Sequence, residues 1–321
     1  PPRVQFIYNA DDRCVQQTLG GTNASGIAAG GTITYQHVAV AGPRGSVSKV
    51  TVTDRNGNVT EYFFNAAGQP LVIREYTRGL RPGDPTFYET NHFYNADGNL
   101  IKTVPPEGNE TEAVYAASGD RAQQGNLVEL IRRPGPRGGD QSFRKKTWTY
   151  EPVYNLVHAE TEERGNDPAF VPQNGGTTSA ARFTIRTTHD YQEGNNLPAM
   201  ALATGRTQAD LSAALTAAGI PINLPDQNGD GLTNGPTFGG NPIRVDYPTV
   251  NLLAGSPQAL AEGRTAQVRI ATMAYNAFGQ KVSETNTEEN VTLFSHYPEN
   301  DPDGDGQDIL AQNGLGNPPN P

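Results

Sequence analysis

The chain has 321 residues, a net charge of −10, only 18% charged and 35% hydrophobic residues, and one cysteine, Cys14. It has no Lys/Arg cluster and no apolar run near the roughly 20 residues a membrane helix needs, which argues against nucleic acid, an anionic membrane surface or membrane insertion as partners. A lone thiol excludes an internal disulfide, and 36 Gly and 25 Pro favour short strands joined by turns over long helices.

Disorder is not the reading for most of the chain, because 13 Tyr, 11 Phe and regular Val/Ile/Thr runs supply apolar surface. The opening PPRVQF has no signal peptide, so a mature product or a piece of something longer is expected. From the N-terminus onward a Tyr/Phe-Asn-Ala string recurs: YNADDRCV from Tyr8, FNAAGQPLV from Phe64, YNADGNLI from Tyr94 and YNAFGQKV from Tyr275. Asn95-Ala96-Asp97-Gly98 has Asn at the first and Gly at the fourth turn position, which suits a type I turn whose Gly is left-handed and starts a bulge. Asn65 to Gly68 and Asn276 to Gly279 repeat it, and Glu151-Pro152-Val153-Tyr154 is a degenerate relative.

A second series alternates with the first: Asp54 to Gly57, Pro105 to Gly108, Glu162 to Gly165, and Asn286-Thr287-Glu288-Glu289, which lacks its Gly. Gly57 and Gly68 are 11 residues apart, and Gly98 and Gly108 are 10. Strands of about 20 Å therefore run between alternate rims. Thr60, Tyr62 and Phe64 share one face, as do Thr111, Ala113 and Tyr115, and Ala271, Met273 and Tyr275. These aromatics are expected to fill a core at each rim.

VTDRNGNVTEYFFNAAGQPLV, HFYNADGNLIKTVPPEGNETEAVY, KKTWTYEPVYNLVHAETEERGN and MAYNAFGQKVSETNTEENVT resemble the Rhs/YD-repeat proteins, whose unit couples a Tyr-Asp-x-x-Gly turn to a second Gly turn. The match covers residues 50–165 and 264–297, with fainter echoes at Tyr8 and at THDYQEGNN, 188–196. Asn replaces the family's Asp at Asn9, Asn65, Asn95 and Asn276; it caps a turn equally well, but a role needing the charge is lost. The resemblance implies an all-β fold, a spiral meander of antiparallel hairpins with open edges that stack. It also implies hollow shells around toxin polypeptides, or extracellular fibres.

The rhythm stops from 197 to 263. RTQADLSAALTAAGIP predicts a helix with Thr207 as N-cap, Asp210 three residues on, Leu211, Ala214, Leu215 and Ala218 at helical spacing, and Gly219 and Pro221 as stops. A shorter helix is expected from Ser256 to Gly263. The organisation is then 1–196 repeat sheet, with 1–49 degenerate, 197–263 helical insertion, 264–297 resumed hairpins and 298–321 an acidic tail.

DQNGDGLTN places Asp226, Asn228 and Asp230 at positions 1, 3 and 5 of an EF-hand-type loop, with Leu232 as carbonyl donor and Asn234 as ligand or water holder. Thr237 stands where a bidentate Glu belongs, which weakens calcium towards the range of extracellular modules. A plain Asp/Gly turn is the alternative. ENDPDGDGQD offers Asp301, Asp303, Asp305 and Asp308 with Gln307, whose carboxylates repel unless a cation joins them, although such a tail also reads as a linker. Sequons at Asn58, Asn109 and Asn290 fall after second-series turns and read as turn chemistry; a fourth lies at Asn23.

Five histidines are scattered, with no HExxH, GxSxG or P-loop, and Cys14 lies inside a repeat copy, so an enzyme is not expected. The expected function is structural: a segment of an extracellular or cell-surface filament, sheath or shell that associates with further copies or neighbouring repeats and is stiffened by calcium. A toxin-encapsulating shell fragment and a module that binds surface glycans are the alternatives.

Overall fold

The computed structural model describes residues 4–20, 30–79, 81–117, 121–138, 141, 143–161, 184–229, 231, 240–251, 266–276 and 279–296. It is mostly antiparallel β-sheet, with two short α-helices among the described residues. The chain divides into two compact units, Pro1–Tyr115 with Leu130–Arg144, and Ala116–Glu129 with Lys145–Pro321.

In the first unit, β1 (Val4–Tyr8), β2 (Cys14–Leu19), β3 (Gly31–Ala39), β4 (Ser48–Thr53), β5 (Val59–Phe64), β6 (Pro70–Tyr76), β7 (Phe87–Tyr94), β8 (Leu100–Val104) and β9 (Glu110–Tyr115) pair each with the next, all antiparallel. Strand β10 (Leu127–Arg133) has residues in both units. In the second unit, β11 (Arg144–Tyr150), β12 (Val157–Thr161), β13 (Thr184–His189), β14 (Pro242–Asn251), β15 (Ala266–Tyr275), β16 (Lys281–Thr285) and β17 (Val291–Leu293) continue the same pattern.

The rim turns are built as their residues dictate. Gly98 N–H donates to Asn95 O at 3.1 Å and Asn95 N–H to Asn99 O at 3.0 Å, while Asn95 Oδ1 accepts from the N–H groups of Asp97 and Asn99. Gly98 has a φ of +85°, where an added Cβ is strained. The bonds repeat at Asn65 and Asn9, and at Asp54 and Asn286 in the second series. Where Gly is missing, Asp12 and Glu289 take its place at φ of 57° and 65°. The sequon residue Asn58 is consumed by this chemistry: its side-chain amide donates to Asp54 Oδ2 at 2.7 Å.

Glu151 departs from the expected four-residue turn. The loop is longer, closed by Glu151 N–H to Leu156 O at 2.9 Å with Asn155 at a φ of 59°, because the glutamate's longer side chain reaches over more backbone than an Asn can.

The rim aromatics do not fill a core as expected: Tyr62, Phe64, Tyr94, Tyr115 and Tyr275 are half-buried, and the buried residues of β5 are Glu61 and Phe63 on its other face. Several tyrosines make hydrogen bonds instead. The last residue of a strand, just before the rim turn, sends its hydroxyl across to the carbonyl that begins the preceding strand: Tyr94 to Pro70 at 3.2 Å, Tyr115 to Leu100 at 3.3 Å, Tyr150 to Leu127 at 2.9 Å and Tyr275 to Pro242 at 3.0 Å. Burial raises the pKa of Tyr94, Tyr150 and Tyr275, which keeps those hydroxyls donors. Each clamp joins one hairpin to its neighbour.

One face of the first unit carries cross-strand charge pairs: Lys49 with Glu61 at 2.5 Å, Arg74 with Glu89 at 2.8 Å and Lys102 with Glu110 at 2.7 Å. Arg74 lies between the rings of Phe63 and Phe87, at 5.1 and 4.5 Å. Burial raises the pKa of Glu61, but bonds from Lys49 and Tyr76 outweigh it and hold its carboxyl below the ordinary value. Half-exposed pairs like these contribute about 1 kcal/mol or less each.

Buried apolar residues are few in this unit. Among the described residues the buried hydrophobic ones there are Phe63 and Val72, whereas the second unit has Tyr191, Met200, Ala201, Leu211, Leu215, Ile220, Ile243, Ala271, Met273 and Ala274. The first unit is a sheet without a second layer among the described residues, so its stability comes from strand-to-strand neighbours.

The segment between β13 and β14 holds α1 (Leu197–Thr204) and α2 (Gln208–Ala217). Helix α2 is as the sequence predicts: Thr207 Oγ1 accepts from Asp210 N–H at 3.1 Å, and Leu211 and Leu215 are buried. Helix α1 has no counterpart in the sequence reading, and a helix from 256 to 263 falls outside the described residues.

Replacing Tyr94 or Tyr275 by Phe removes one clamp and should cost about 1 kcal/mol in urea denaturation. Gly98→Ala should cost about 1 to 2 kcal/mol through the left-handed backbone alone.

Candidate functional site

Asp226 and Asn228 are the members of the proposed acidic loop that lie among the described residues, and Asp230, Leu232, Asn234, Asp301, Asp303, Asp305, Gln307 and Asp308 lie outside them. Asp226 is a turn cap: Oδ1 accepts from Gly229 N–H at 2.7 Å and Oδ2 from Gly231 N–H at 2.8 Å. Each oxygen keeps a second lone pair. Asn228 ties the loop to the sheet, its amide nitrogen donating to Met273 O at 3.1 Å, and Gln227 N–H donates to Glu193 Oε1 at 2.5 Å. Among the described residues no three His, Cys, Asp or Glu side chains are grouped to hold a metal.

A second polar centre lies under the helical insertion, and sequence reasoning did not find it. Glu151 is fully buried at the β11–β12 turn. Its Oε1 accepts from the N–H groups of Tyr154 at 2.8 Å and Leu156 at 2.9 Å, and its Oε2 from Val153 N–H at 2.7 Å and the Tyr191 hydroxyl at 3.0 Å. Four donors satisfy a carboxylate that burial would otherwise make costly. Tyr191 is also fully buried and stands in the helical core with Met200, Ala201, Leu211, Leu215 and Ile220, its ring edge-on to Tyr154 at 5.7 Å. Burial, helped by the Glu151 charge, raises its pKa far above the ordinary range.

His189 stacks on Tyr191, ring centres 6.1 Å apart and planes 7° off parallel, and is 4% exposed. His158 stands on the adjacent strand, with its ring bonded to the Thr187 backbone. The Nδ1 atoms of His158 and His189 are buried and have no hydrogen-bond partner. Burial lowers the pKa of both rings; Glu151 acts in the opposite direction on each, and His158 lowers His189 further.

The surroundings fasten the insertion to this centre. Arg206 Nη1 donates to Pro152 O at 2.8 Å, Gln192 Nε2 to Pro221 O at 3.2 Å, and Asn241 Nδ2 to Asp190 Oδ2 at 3.0 Å. The 188–196 segment, an echo of the repeat in sequence, leaves the sheet here through a 3-10 turn at Asp190–Gln192.

No protein-family model and no curated protein sequence matches the chain. Solved structures are similar to it. A mutant Tc holotoxin pore of Photorhabdus luminescens aligns at 12% identity with a TM-score of 0.34, over 91% of this chain and 14% of that one. A porin-like protein from Bacteroides uniformis aligns at 10% identity with a TM-score of 0.27, over 92% of this chain and 83% of that one. The TcdB2-TccC3-Cdc42 structure aligns at 13% identity with a TM-score of 0.20, over 92% of this chain and 16% of that one. The chain spans 14% and 16% of the length of these two Tc chains. TM-scores this low decide nothing about function, which rests on the chain's own geometry.

Glu151→Ala should cost more than about 3 kcal/mol in urea denaturation, because three buried N–H groups and a phenol lose their acceptor at once. A cost under about 1 kcal/mol would show that the carboxylate is not the centre of this junction.

Proposed function

We propose that the chain is a structural segment of a Rhs/YD-repeat assembly, a filament, sheath or shell at or outside the cell surface, whose work is to extend one sheet and resist unfolding. The observation that carries this reading is the tyrosine clamp, made by the same atoms at Tyr94, Tyr115, Tyr150 and Tyr275 in both units. A repeated contact between each hairpin and the one before it is what a sheet needs in order to grow by addition.

Two exposed apolar strands also support addition. Strand β1 is exposed along its length, with Phe6 49% and Tyr8 58% exposed, and on β17 Val291 and Leu293 are 61% and 78% exposed. Apolar strands in this state pair readily with more sheet. No helix among the described residues is long and apolar enough to cross a membrane.

Electron microscopy of the purified chain at high concentration, with and without calcium, tests the assembly. Filaments or closed cages support it; a monodisperse monomer that binds glycans would point to an adhesion module instead.

Calcium belongs to the same proposal. Asp226 keeps lone pairs available after capping its turn, and an ion there would link the insertion to β15 through Asn228. Calorimetry should give heat on adding calcium and a higher melting temperature, with Asp226→Ala reducing both; no heat and an unchanged melting curve reject it.

A further inference from the structure

Six hairpins share a register shift at the rim, where the returning strand carries one residue too many. The extra residue is Val15, Leu71, Ile101, Ile243 or Val282 in five of them and His158 in the sixth. The residue before the rim turn is Tyr8, Phe64, Tyr94, Tyr150 or Tyr275 in five, and His189 in the sixth. Both positions are apolar or aromatic everywhere else in the repeat. The two exceptions sit on adjacent strands, β12 and β13, at the point where the helical insertion joins the sheet.

We propose that His158 and His189 form an acid-sensitive latch that holds the helical insertion on the sheet at neutral pH and releases it on acidification.

The geometry supplies the coupling. Tyr191 is a core residue of the insertion, and it is held between the His189 ring and the Glu151 carboxylate. The charged and titratable groups around the pair are Glu151 and Tyr154 from the β11–β12 turn, Arg186 from β13, Asp190 and Tyr191 from the 3-10 turn, and Tyr275 from β15. Glu151 is the one carboxylate acting on both rings, and its four acceptor bonds are already committed elsewhere. Arg186 opposes charge on His158, and His158 opposes charge on His189. Neither buried Nδ1 has a hydrogen-bond partner in place to take a proton, and the charge is relieved by exposing the ring to water.

The direction in pH follows. Burial lowers both folded pKa values below the ordinary one of about 6.5, so the opened state binds protons that the closed state refuses. The latch is at full strength above about pH 6.5 and weakens as pH falls below it, through the folded values. Opening the insertion exposes the rings and leaves the pairing of β5 with β6 in place. The segment between β13 and β14 can thus respond while the repeat persists.

Hydrogen exchange of the intact chain tests this, with the amides of α2 around Leu211 and Leu215 as the readout and those of β5 and β6 as internal reference. Between pH 7.5 and 5.5, after correction for intrinsic exchange, α2 protection should fall about tenfold or more while β5 and β6 hold. In a double variant with the repeat's own residues, His158→Ile with His189→Tyr, α2 protection should stay flat. Equal losses in both proteins, or none in the native chain, would overturn the latch. If the double variant does not fold, ring titration by nuclear magnetic resonance in the native chain decides: midpoints below about 6 support it, and midpoints at or above the ordinary value of about 6.5 overturn it.

Discussion

Everything in the sheet depends on how each rim is closed. Backbone reversal leaves N–H groups without strand partners, and in this chain one side-chain oxygen takes two of them, at Asn9, Asn65, Asn95 and Asn286 and again at Asp54. The cap is local, so every hairpin can form its turn without help from the rest. At Asn95 and Asn276 the tyrosine one residue earlier, Tyr94 or Tyr275, also reaches back to the previous strand. Cap and clamp together tie a marginal hairpin to its neighbour.

The two units use this frame differently. In the first, Phe63 and Val72 are the buried hydrophobic residues, and charge pairs with Arg–aromatic sandwiches cover one face. In the second, the β13–β14 connection carries two helices whose core is anchored through Tyr191 to Glu151. The frame is kept and the covering is added, which is how an insertion can bring a property of its own without disturbing the repeat.

The turns were legible because their chemistry is written in four adjacent residues: Asn at the start and Gly at the left-handed end explain Asn95 and Gly98 without any tertiary information. Helix α2 was legible for the same reason, through Thr207 and Asp210. The clamps were not, since the acceptor of the Tyr94 hydroxyl is a carbonyl 24 residues away. Helix α1 was hidden because LPAMALAT is apolar nearly all round and has no side-chain cap at Asn196. His158 and His189 looked scattered until strand pairing placed them on adjacent strands, although each already broke the residue pattern of its repeat position. Of the acidic loops, the sequence points first to calcium at Asp226 and to a plain Asp/Gly turn as the alternative, and the structure shows its two oxygens capping that turn.

The central claim is that stability is passed from hairpin to neighbouring hairpin instead of residing in one shared core. Calorimetric and van 't Hoff enthalpies from a single thermal unfolding scan test it most directly. The account predicts a calorimetric enthalpy clearly larger than the van 't Hoff value, because hairpins and units melt in steps. Equal enthalpies and one sharp transition would contradict it.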